Sequence, residues 1–292
     1  MALPQTAATR EVNRHGMRAI IVAQMLFSIS DTLVKLAAPL MPAGELIAMR
    51  GMIGTAILYG LARRERAHLA GLWHPVVMLR ALLEGVISLL FLAAINGLPI
   101  GNYTAIMLST PLMITALAVV VLGHLVGWHR WLAIAVGFVG VLLVAQPSAS
   151  GFSSAAWLAI ACAALVAVRD IVTRFVPPNM PSMVVTLMTS AVTTLIGAGM
   201  AGLEGVTRPS ATAIILVILA ALAISGANLG LIMGSRKADI GAIAPLRYIG
   251  MPLALLSGWL IWNNIPNVVA MIGMALIIGS GLYTLHRERL RA

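Results

Sequence analysis

Long apolar runs alternate with short polar breaks along the whole chain. Ten of these runs approach the roughly 20 residues that a helix needs to cross the hydrocarbon core of a bilayer. The predicted helices span residues 17–38, 45–62, 75–95, 101–123, 130–146, 153–175, 182–203, 210–233, 240–262 and 267–285. The breaks between them contain the Pro, Gly, Asn and Ser residues that are typical of turns. The pattern therefore predicts an all-α membrane protein with ten transmembrane helices.

Composition supports this interpretation. Of the 292 residues, 60% are hydrophobic and 10% are charged, whereas soluble domains carry about 25% charged residues. The expected partners are a lipid bilayer and a small-molecule substrate, not nucleic acid, and we expect a monomer or weak homodimer. The single Cys162 excludes an internal disulfide and a cysteine-based metal cluster. No metal or cofactor motif is visible, so we expect neither.

The positive charges predict the orientation. Cytoplasmic loops of membrane proteins carry an excess of Lys and Arg. Both tails and the even-numbered breaks hold Arg10, Arg14, Arg18, Arg63, Arg64, Arg66, Arg130, Arg174, Arg236, Lys237, Arg287, Arg289 and Arg291. The odd-numbered breaks hold Arg208 alone. We therefore expect both termini in the cytoplasm and a multi-pass protein of the inner (plasma) membrane.

An internal sequence repeat divides the chain into two halves. The run Asp31-Thr-Leu-Val-Lys35 is repeated 139 positions later as Asp170-Ile-Val-Thr-Arg174. This predicts one five-helix repeat at 17–146 and a second at 151–285, with cytoplasmic tails at 1–16 and 286–292. Five is an odd number, so the second repeat must be inverted in the membrane. Inverted repeats form a midplane site that opens to each side in turn, which is alternating access.

Several motifs carry a family resemblance. The third and fourth helices contain Arg80-Ala-Leu-Leu-Glu84 and the run 91–105, followed by Pro111. The ninth and tenth contain the run 242–248, then Pro252, Gly273 and Gly279. The chain resembles the EamA-type permeases of the drug/metabolite transporter superfamily. Many members carry a Gly-Glu pair at the ends of the fourth and ninth helices, where this chain has Gly123-His124 and Asn263-Asn264.

The resemblance implies ten helices in a 5+5 inverted repeat, cytoplasmic termini and transport of small metabolites. The members that this chain resembles most are amino-acid and metabolite exporters of bacterial inner membranes. We therefore expect export of amino acids, with aromatic or other apolar ones included. The alternative is a nucleotide-sugar or organic-phosphate exchanger of the same superfamily. Direction and proton coupling stay open.

Charges inside spans are the first candidates for the site, because a charge at the bilayer centre costs about 2.5–3.5 kcal/mol on insertion scales. Glu84 lies near the midplane and can pair with Arg80 one turn away on the same face. Arg247, beside Tyr248, offers a planar fork to a carboxylate or phosphate. Together Glu84 and Arg247 provide the two charges that a zwitterion needs.

Two further pairs are expected near the helix ends. Asp31 with Lys35, and Asp170 with Arg174, are spaced i,i+4 and are interpreted as salt bridges or gates. Inversion would put them at opposite membrane faces, which suits alternating gates. Arg50 is interpreted as an interfacial anchor.

Uncharged side chains complete the predicted cavity. The residues expected to contact substrate, besides Glu84, Arg247 and Tyr248, are Gln24, Tyr103, Met107, Trp157 and Asn228. Pro111 and Pro252 are expected to bend their helices. Gly226, Gly230 and Gly234 stand four apart and predict close helix packing.

Other function classes fit poorly. An intramembrane enzyme needs a metal-binding carboxylate motif or a nucleophile with a base, and the spans contain neither. A channel is expected to show rings of charge or filter carbonyls, usually repeated by oligomer symmetry, and an inverted repeat argues against it. We therefore predict a transporter and no enzymatic activity.

Overall fold

The computed structural model describes residues 7–64, 73–122, 128–146, 153–177, 180–237 and 244–289. Eleven α-helices occupy these residues. They are α1 (Ala7–Ala37), α2 (Ala43–Arg64), α3 (Pro75–Gly97), α4 (Ile100–Met107), α5 (Thr110–Leu122), α6 (Trp128–Ala145), α7 (Ser154–Thr173), α8 (Ser182–Glu204), α9 (Ala211–Lys237), α10 (Gly250–Trp262) and α11 (Val268–Arg289). Two 3-10 helices, Ala38–Leu40 and Ala244–Ile249, follow α1 and precede α10. No strand occurs among the described residues.

The helices follow the ten apolar runs, with three departures. α1 begins at Ala7, so part of the predicted polar tail is helical. The predicted helix 101–123 is divided into α4 and α5 by a break at Leu108–Ser109. The predicted helix 240–262 is described from residue 244, where it begins as a 3-10 helix.

Seven described helices are long and apolar enough to cross a membrane. They are His15–Leu40, Ala43–Arg64, Pro75–Gly97, Ile100–Leu117, Ser154–Thr173, Met183–Glu204 and Ala211–Gly230. Three further apolar helices are shorter, at Trp131–Ala145, Gly250–Trp262 and Val268–Thr284. The protein is therefore a multi-pass membrane protein.

Capping residues set several helix ends. The Ser153 hydroxyl accepts a hydrogen bond from the Ala156 amide at the start of α7, and Asn267 Oδ1 accepts one from Ala270 at the start of α11. Both satisfy amides that have no partner within the helix. α10 ends at Asn263, whose φ of 52° is the left-handed conformation that closes many helices.

Four helix pairs make the main contacts: α1 with α9, α2 with α8, α3 with α7, and α6 with α11. Helix α3 also packs on α8, and α2 on α9. Small residues allow the closest approaches, since a Cβ on Gly140 would lie 2.7 Å from the Gly273 carbonyl oxygen. Such packing is expected inside a bilayer, where van der Waals contact drives helix association.

One end of the bundle is closed by an apolar cluster. It includes Val34, Met41, Leu46, Leu92 and Ile95, all buried. These residues come from the end of α1, the start of α2 and the end of α3, which meet at the same end of the bundle. Nearer the middle of the bundle, the same helices surround a cavity.

Candidate functional site

Two adjoining chambers lie within the bundle. The small chamber, of about 300 Å³, reaches Ser28, Asp31 and Tyr103. The large chamber, of about 860 Å³, extends to Thr173 and Thr186. Both volumes fall within the range of small-molecule sites. The chambers adjoin each other and are together called the cavity. Their shared lining residues include Gln24, Phe27, Arg50, Glu84, Ser88, Phe91, Met107, Val166, Arg169 and Ile224.

Charges of both signs line this cavity in equal number. Among the described side chains, the lining includes the arginines Arg50, Arg80 and Arg169 and the carboxylates Asp31, Glu84 and Asp170. Six charges inside an apolar bundle are costly unless they interact with each other or with a ligand. The cavity is therefore the candidate functional site.

An ion-pair network joins α3 to α7. Arg169 Nη1 donates to Glu84 Oε2 at 2.6 Å, and Arg169 Nη2 lies 2.8 Å from Asp170 Oδ1. The predicted pairing of Asp170 with Arg174 is therefore wrong. Arg174 is exposed at the C-terminal cap of α7, whereas the Arg169 side chain turns back to its neighbour and reaches Glu84.

The predicted pairing of Glu84 with Arg80 is also corrected. Arg80 Nε donates to Thr173 Oγ1 at 3.0 Å, and its Nη1 donates to Thr189 Oγ1 at 2.6 Å. Arg80 thus links α3 to α7 and α8, and it still attracts Glu84 electrostatically. The direct contact goes to Arg169 because that guanidinium reaches the carboxylate from a facing helix.

Lys35 has partners other than the predicted Asp31. Its Nζ donates to the carbonyl oxygens of Ile95 and Leu98 at the end of α3. It also lies 5.6 Å from the ring centroid of Trp262. The last carbonyls of a helix have no intrahelical partner and carry partial negative charge, which attracts a cation. Lys35 therefore ties α1 to α3 and α10 at the closed end.

Arg50 lines both chambers, so the interfacial anchor expected from the sequence is wrong. Its guanidinium carbon lies 5.7 Å from the ring centroid of Phe91. Phe91 in turn makes an edge-to-face contact with Tyr103, with centroids 5.5 Å apart. Asp31 and Glu84 attract Arg50 electrostatically, but neither forms an ion pair with it within 4 Å among the described residues.

The remaining substrate candidates are divided. Gln24 and Met107 line both chambers, Tyr103 lines the small one, and Asn228 and Tyr248 line the large one. Trp157 is absent from the described lining of either chamber and is 56% exposed, so its substrate contact stays a prediction. Arg247 belongs to the 3-10 helix Ala244–Ile249, and its side chain lies outside the described residues.

Comparison with known proteins identifies the first half of the chain. Residues 14–146 match the EamA-like transporter family. This part of the chain belongs to that family.

Relatives extend the similarity beyond the EamA region. The chain is 26% identical to a riboflavin transporter of Rhizobium johnstonii over 98% of this chain and 97% of that protein. It is 23% identical to the pseudopaline exporter of Pseudomonas aeruginosa over 91% and 94%. It is 29% identical to an S-adenosylmethionine uptake transporter of Rickettsia bellii over 65% of each chain. The chain is thus similar to membrane transporters over nearly its whole length.

A solved crystal structure has the same fold. It covers 97% of this chain and 99% of its own, with a TM-score of 0.65 and 19% sequence identity. At that identity the likeness concerns the fold alone. The fold of this chain thus has a counterpart of known structure.

Helix interruptions in the EamA half and beyond it adjoin the predicted prolines. Pro111 lies in the first turn of α5, directly after the break at Leu108–Ser109. Pro252 lies in the first turn of α10, directly after the 3-10 helix. Leu108 lines both chambers, so the first interruption lies beside the cavity.

The predicted glycine face packs α9 against α1. A Cβ on Gly226 would lie 3.1 Å from Leu26 Cδ1, and a Cβ on Gly230 would lie 3.2 Å from Ala23 Cβ. The surroundings of Gly234 lie outside the described part of α9. The two described glycines have the packing role expected from their spacing.

The sequence reasoning missed Arg169 and a wall of hydroxyl groups. Arg169 lies four residues from the end of α7, and the rule that intramembrane charges need partners would have singled it out. The hydroxyl wall consists of Thr186, Thr189, Ser190 and Thr193, all on α8 and lining the large chamber. Its spacing of three to four residues follows one helix face, so the periodicity of hydroxyls was the available signal.

Proposed function

We propose that this transporter exports small zwitterionic metabolites, amino acids foremost, across the bacterial inner membrane by alternating access. The observation that carries the proposal is the cavity, which charges of both signs line in equal number. Amino acids with aromatic or other apolar side chains fit the uncharged part of its lining, which includes Phe27, Met107 and Ile224.

Charge balance favours a zwitterion over an anion. The two acid groups of a phosphate ester call for an excess of Arg or Lys. Three described arginines line the cavity, which is the specific support for the nucleotide-sugar or organic-phosphate alternative. However, three carboxylates accompany them, and two of these already engage Arg169. A substrate with one positive and one negative group leaves the balance of these six described charges unchanged.

The relatives named above transport riboflavin, pseudopaline and S-adenosylmethionine, which differ widely in structure. Their diversity means that membership of the superfamily leaves the substrate open. S-Adenosylmethionine contains an α-amino acid group on a larger body, and the 860 Å³ large chamber is big enough to consider such compounds. These three compounds therefore belong in the substrate panel beside amino acids.

Contacts between α2 and α8 support a two-fold relation between the halves. A Cβ on Gly51 would meet Thr194, and Thr55 Oγ1 donates to Ser190 Oγ at 3.0 Å. The offset of 139 residues converts the first pair into the second, because position 51 corresponds to 190 and position 55 to 194. Such reciprocal contacts characterise a two-fold interface.

The helix pairing supports the same relation. The repeat makes α1 the counterpart of α7, α2 of α8, α3 of α9 and α6 of α11. If each helix is exchanged with its counterpart, the pair of α1 with α9 becomes the pair of α7 with α3. Both pairs are among the main contacts of the bundle, and the pairs α2 with α8 and α6 with α11 exchange onto themselves. The pairing is thus consistent with a 5+5 inverted repeat.

The Lys35 contacts at the closed end of the bundle support the proposal of a gate there. Lys35 links three helices there, and the predicted orientation puts this end outside the cell. Arg174 is the counterpart of Lys35 at the opposite end, and it is exposed. We therefore propose an inward-facing state in which the Lys35 contacts hold the outer gate closed. In the outward-facing state, Arg174 would hold the inner gate.

Efflux from preloaded cells tests the proposed function. Cells that lack amino-acid exporters would express the wild type, Arg169→Gln or Arg63→Gln at equal membrane abundance, and be loaded with radiolabelled amino acids. We expect efflux with the wild type and Arg63→Gln, and little with Arg169→Gln. Arg169 lines the cavity, whereas Arg63 is exposed on α2, so the two variants separate the cavity from the helix surface. Absence of wild-type efflux for every amino acid would overturn the proposal.

A further inference from the structure

Asp31 and Arg50 differ from the other charges of the cavity because neither makes a hydrogen bond or an ion pair among the described residues. Asp31, on α1, lines the small chamber, and Arg50, on α2, lines both chambers. In the described part of the chain, Asp31 makes no hydrogen bond and no ion pair within 4 Å, while it attracts Arg50 electrostatically. The two groups are opposite in charge, close enough to interact and too far apart to neutralise each other directly.

The neighbouring charges are already engaged. Glu84 and Asp170 share Arg169, and Arg80 donates to two threonine hydroxyls. These contacts hold the Glu84 carboxylate beside Arg169, so no described carboxylate accepts a hydrogen bond from Arg50. Among the described side chains, the cavity therefore contains a hydrogen-bonded network and, beside it, two opposite charges without an ion-pair partner.

Two opposite charges without an ion-pair partner are costly to maintain inside a membrane protein. Charged groups in spans pair with one another, contact water or mark a substrate path. A ligand that carries one ammonium and one carboxylate would form an ion pair with each of the two groups at the same time. Arg offers its planar fork to a carboxylate, and contact with the Phe91 ring helps to hold the guanidinium in position.

We propose that Asp31 and Arg50 form the headgroup subsite of the transporter. Asp31 binds the ammonium and Arg50 binds the carboxylate of an α-amino acid, and the assignment rests on the function proposed above. The substrate side chain lies against the apolar lining of the small chamber, which includes Phe27, Ile87 and Ile100. Glu84 and Arg169 act as positioning residues.

Analogues that lack one charge test each contact separately. The probes are phenylalanine, its methyl ester, which lacks the carboxylate, and 3-phenylpropionate, which lacks the ammonium. Purified protein in proteoliposomes would exchange radiolabelled phenylalanine while each compound competes. In the wild type, we expect phenylalanine to compete at least about tenfold better than either analogue, because a hydrogen bond to a charged group contributes on that order.

Each variant should lose one kind of discrimination. Asp31→Asn should weaken competition by phenylalanine about tenfold or more and leave competition by 3-phenylpropionate unchanged. Arg50→Gln should weaken competition by phenylalanine to the same extent and leave competition by the methyl ester unchanged. Arg50→Lys keeps the charge, so its competition by phenylalanine should weaken less. Arg63→Gln alters an exposed arginine on the same helix as Arg50 and should behave as the wild type.

The outcomes separate this assignment from the proposed function. If the wild type exchanges no amino acid, the proposed function fails and the subsite fails with it. If the wild type exchanges phenylalanine and the folded variants discriminate among phenylalanine and its two analogues as the wild type does, the subsite alone is overturned. Folding is checked by thermal melting and gel filtration. If Arg50→Gln does not fold, the Asp31→Asn and Arg50→Lys results decide.

Discussion

Thr55 of α2 and Thr194 of α8 face each other where these helices cross, with their hydroxyl oxygens 3.4 Å apart, and they lie 139 positions apart in the sequence. The same offset relates Asp31 to Asp170 and Lys35 to Arg174. If the halves exchange conformations during transport, this pair is converted into itself. Its separation should then be the same in both states, whereas the gate contacts should form on one side at a time.

Cross-linking this crossing should leave transport intact. We expect Thr55→Cys with Thr194→Cys, in a Cys162→Ala background, to react with a short bifunctional thiol reagent and to keep most exchange activity. A matched cross-link between Lys35→Cys and Leu98→Cys should abolish exchange, because those residues belong to the proposed gate. Loss of activity in both cross-linked proteins, with retention before cross-linking, would contradict a fixed two-fold axis.

Glycines at the tightest points of the same crossing should not tolerate alanine. A Cβ on Gly197 would lie 2.6 Å from the Ala48 amide nitrogen, and one on Gly44 would clash with the Ala201 backbone. We expect each alanine to destabilise the protein by about 1–3 kcal/mol through overpacking.

Matched controls exist on the same helices. A Cβ added at Gly60 or Gly199 would meet no other atom within 4 Å. Alanine at either position should be neutral or stabilise by up to about 1 kcal/mol, because alanine favours helix. Thermal melting in detergent measures all four variants. Equal effects at Gly197 and Gly199 would argue against the close crossing.

Removing the Lys35 ammonium should open the closed end. In Lys35→Met the last carbonyls of α3 lose their cation, so states open at this end should become more populated. The measurement is maleimide labelling of Met41→Cys, a buried position in the closing cluster, in a Cys162→Ala background. We expect labelling to rise several-fold, with Lys35→Arg near the starting level. Unchanged labelling in Lys35→Met would refute the gate.

Glu84 and Arg169 should be coupled in stability. Their side chains are 26% and 18% exposed, so removing one partner leaves a poorly solvated charge. We expect Glu84→Gln or Arg169→Met alone to cost on the order of 2 kcal/mol, less than a fully buried pair would. The double variant should cost less than the sum of the single changes. Strict additivity in thermal melting would show that the pair is not coupled.

The sequence predicted the helices better than it predicted the partners of their charges. The ten apolar runs can be recognised in the sequence because each must be long enough to span the bilayer. The described helices follow these runs. The pairing of Asp170 with Arg174 is wrong because i,i+4 spacing identifies neighbours on one helix only. Glu84 reaches Arg169 through packing of α3 on α7, which no local pattern encodes.

Arg50 shows the same limit for the direction of a side chain. Apolar residues occur on all sides of α2, so periodicity does not tell which face meets the cavity. Depth alone suggested an interfacial position, and the structure turns the residue inward instead. Trp157 is the converse case, a residue with a polar-edged ring that is more than half exposed. Rotation about the helix axis, unlike helix length, is decided by the neighbouring helices.

The equal numbers of arginines and carboxylates among the described lining residues have a consequence for the energetics of transport. Each elementary charge that crosses the membrane exchanges about 2.3 kcal/mol per 100 mV with the membrane potential. The proposed substrate, a neutral zwitterion, carries no net charge across the membrane in either direction. If no proton accompanies it, the membrane voltage neither drives nor opposes the cycle. Electrical recordings on protein-bearing membranes should then detect no sustained current, and the concentration gradient of the substrate alone would set the direction of flow.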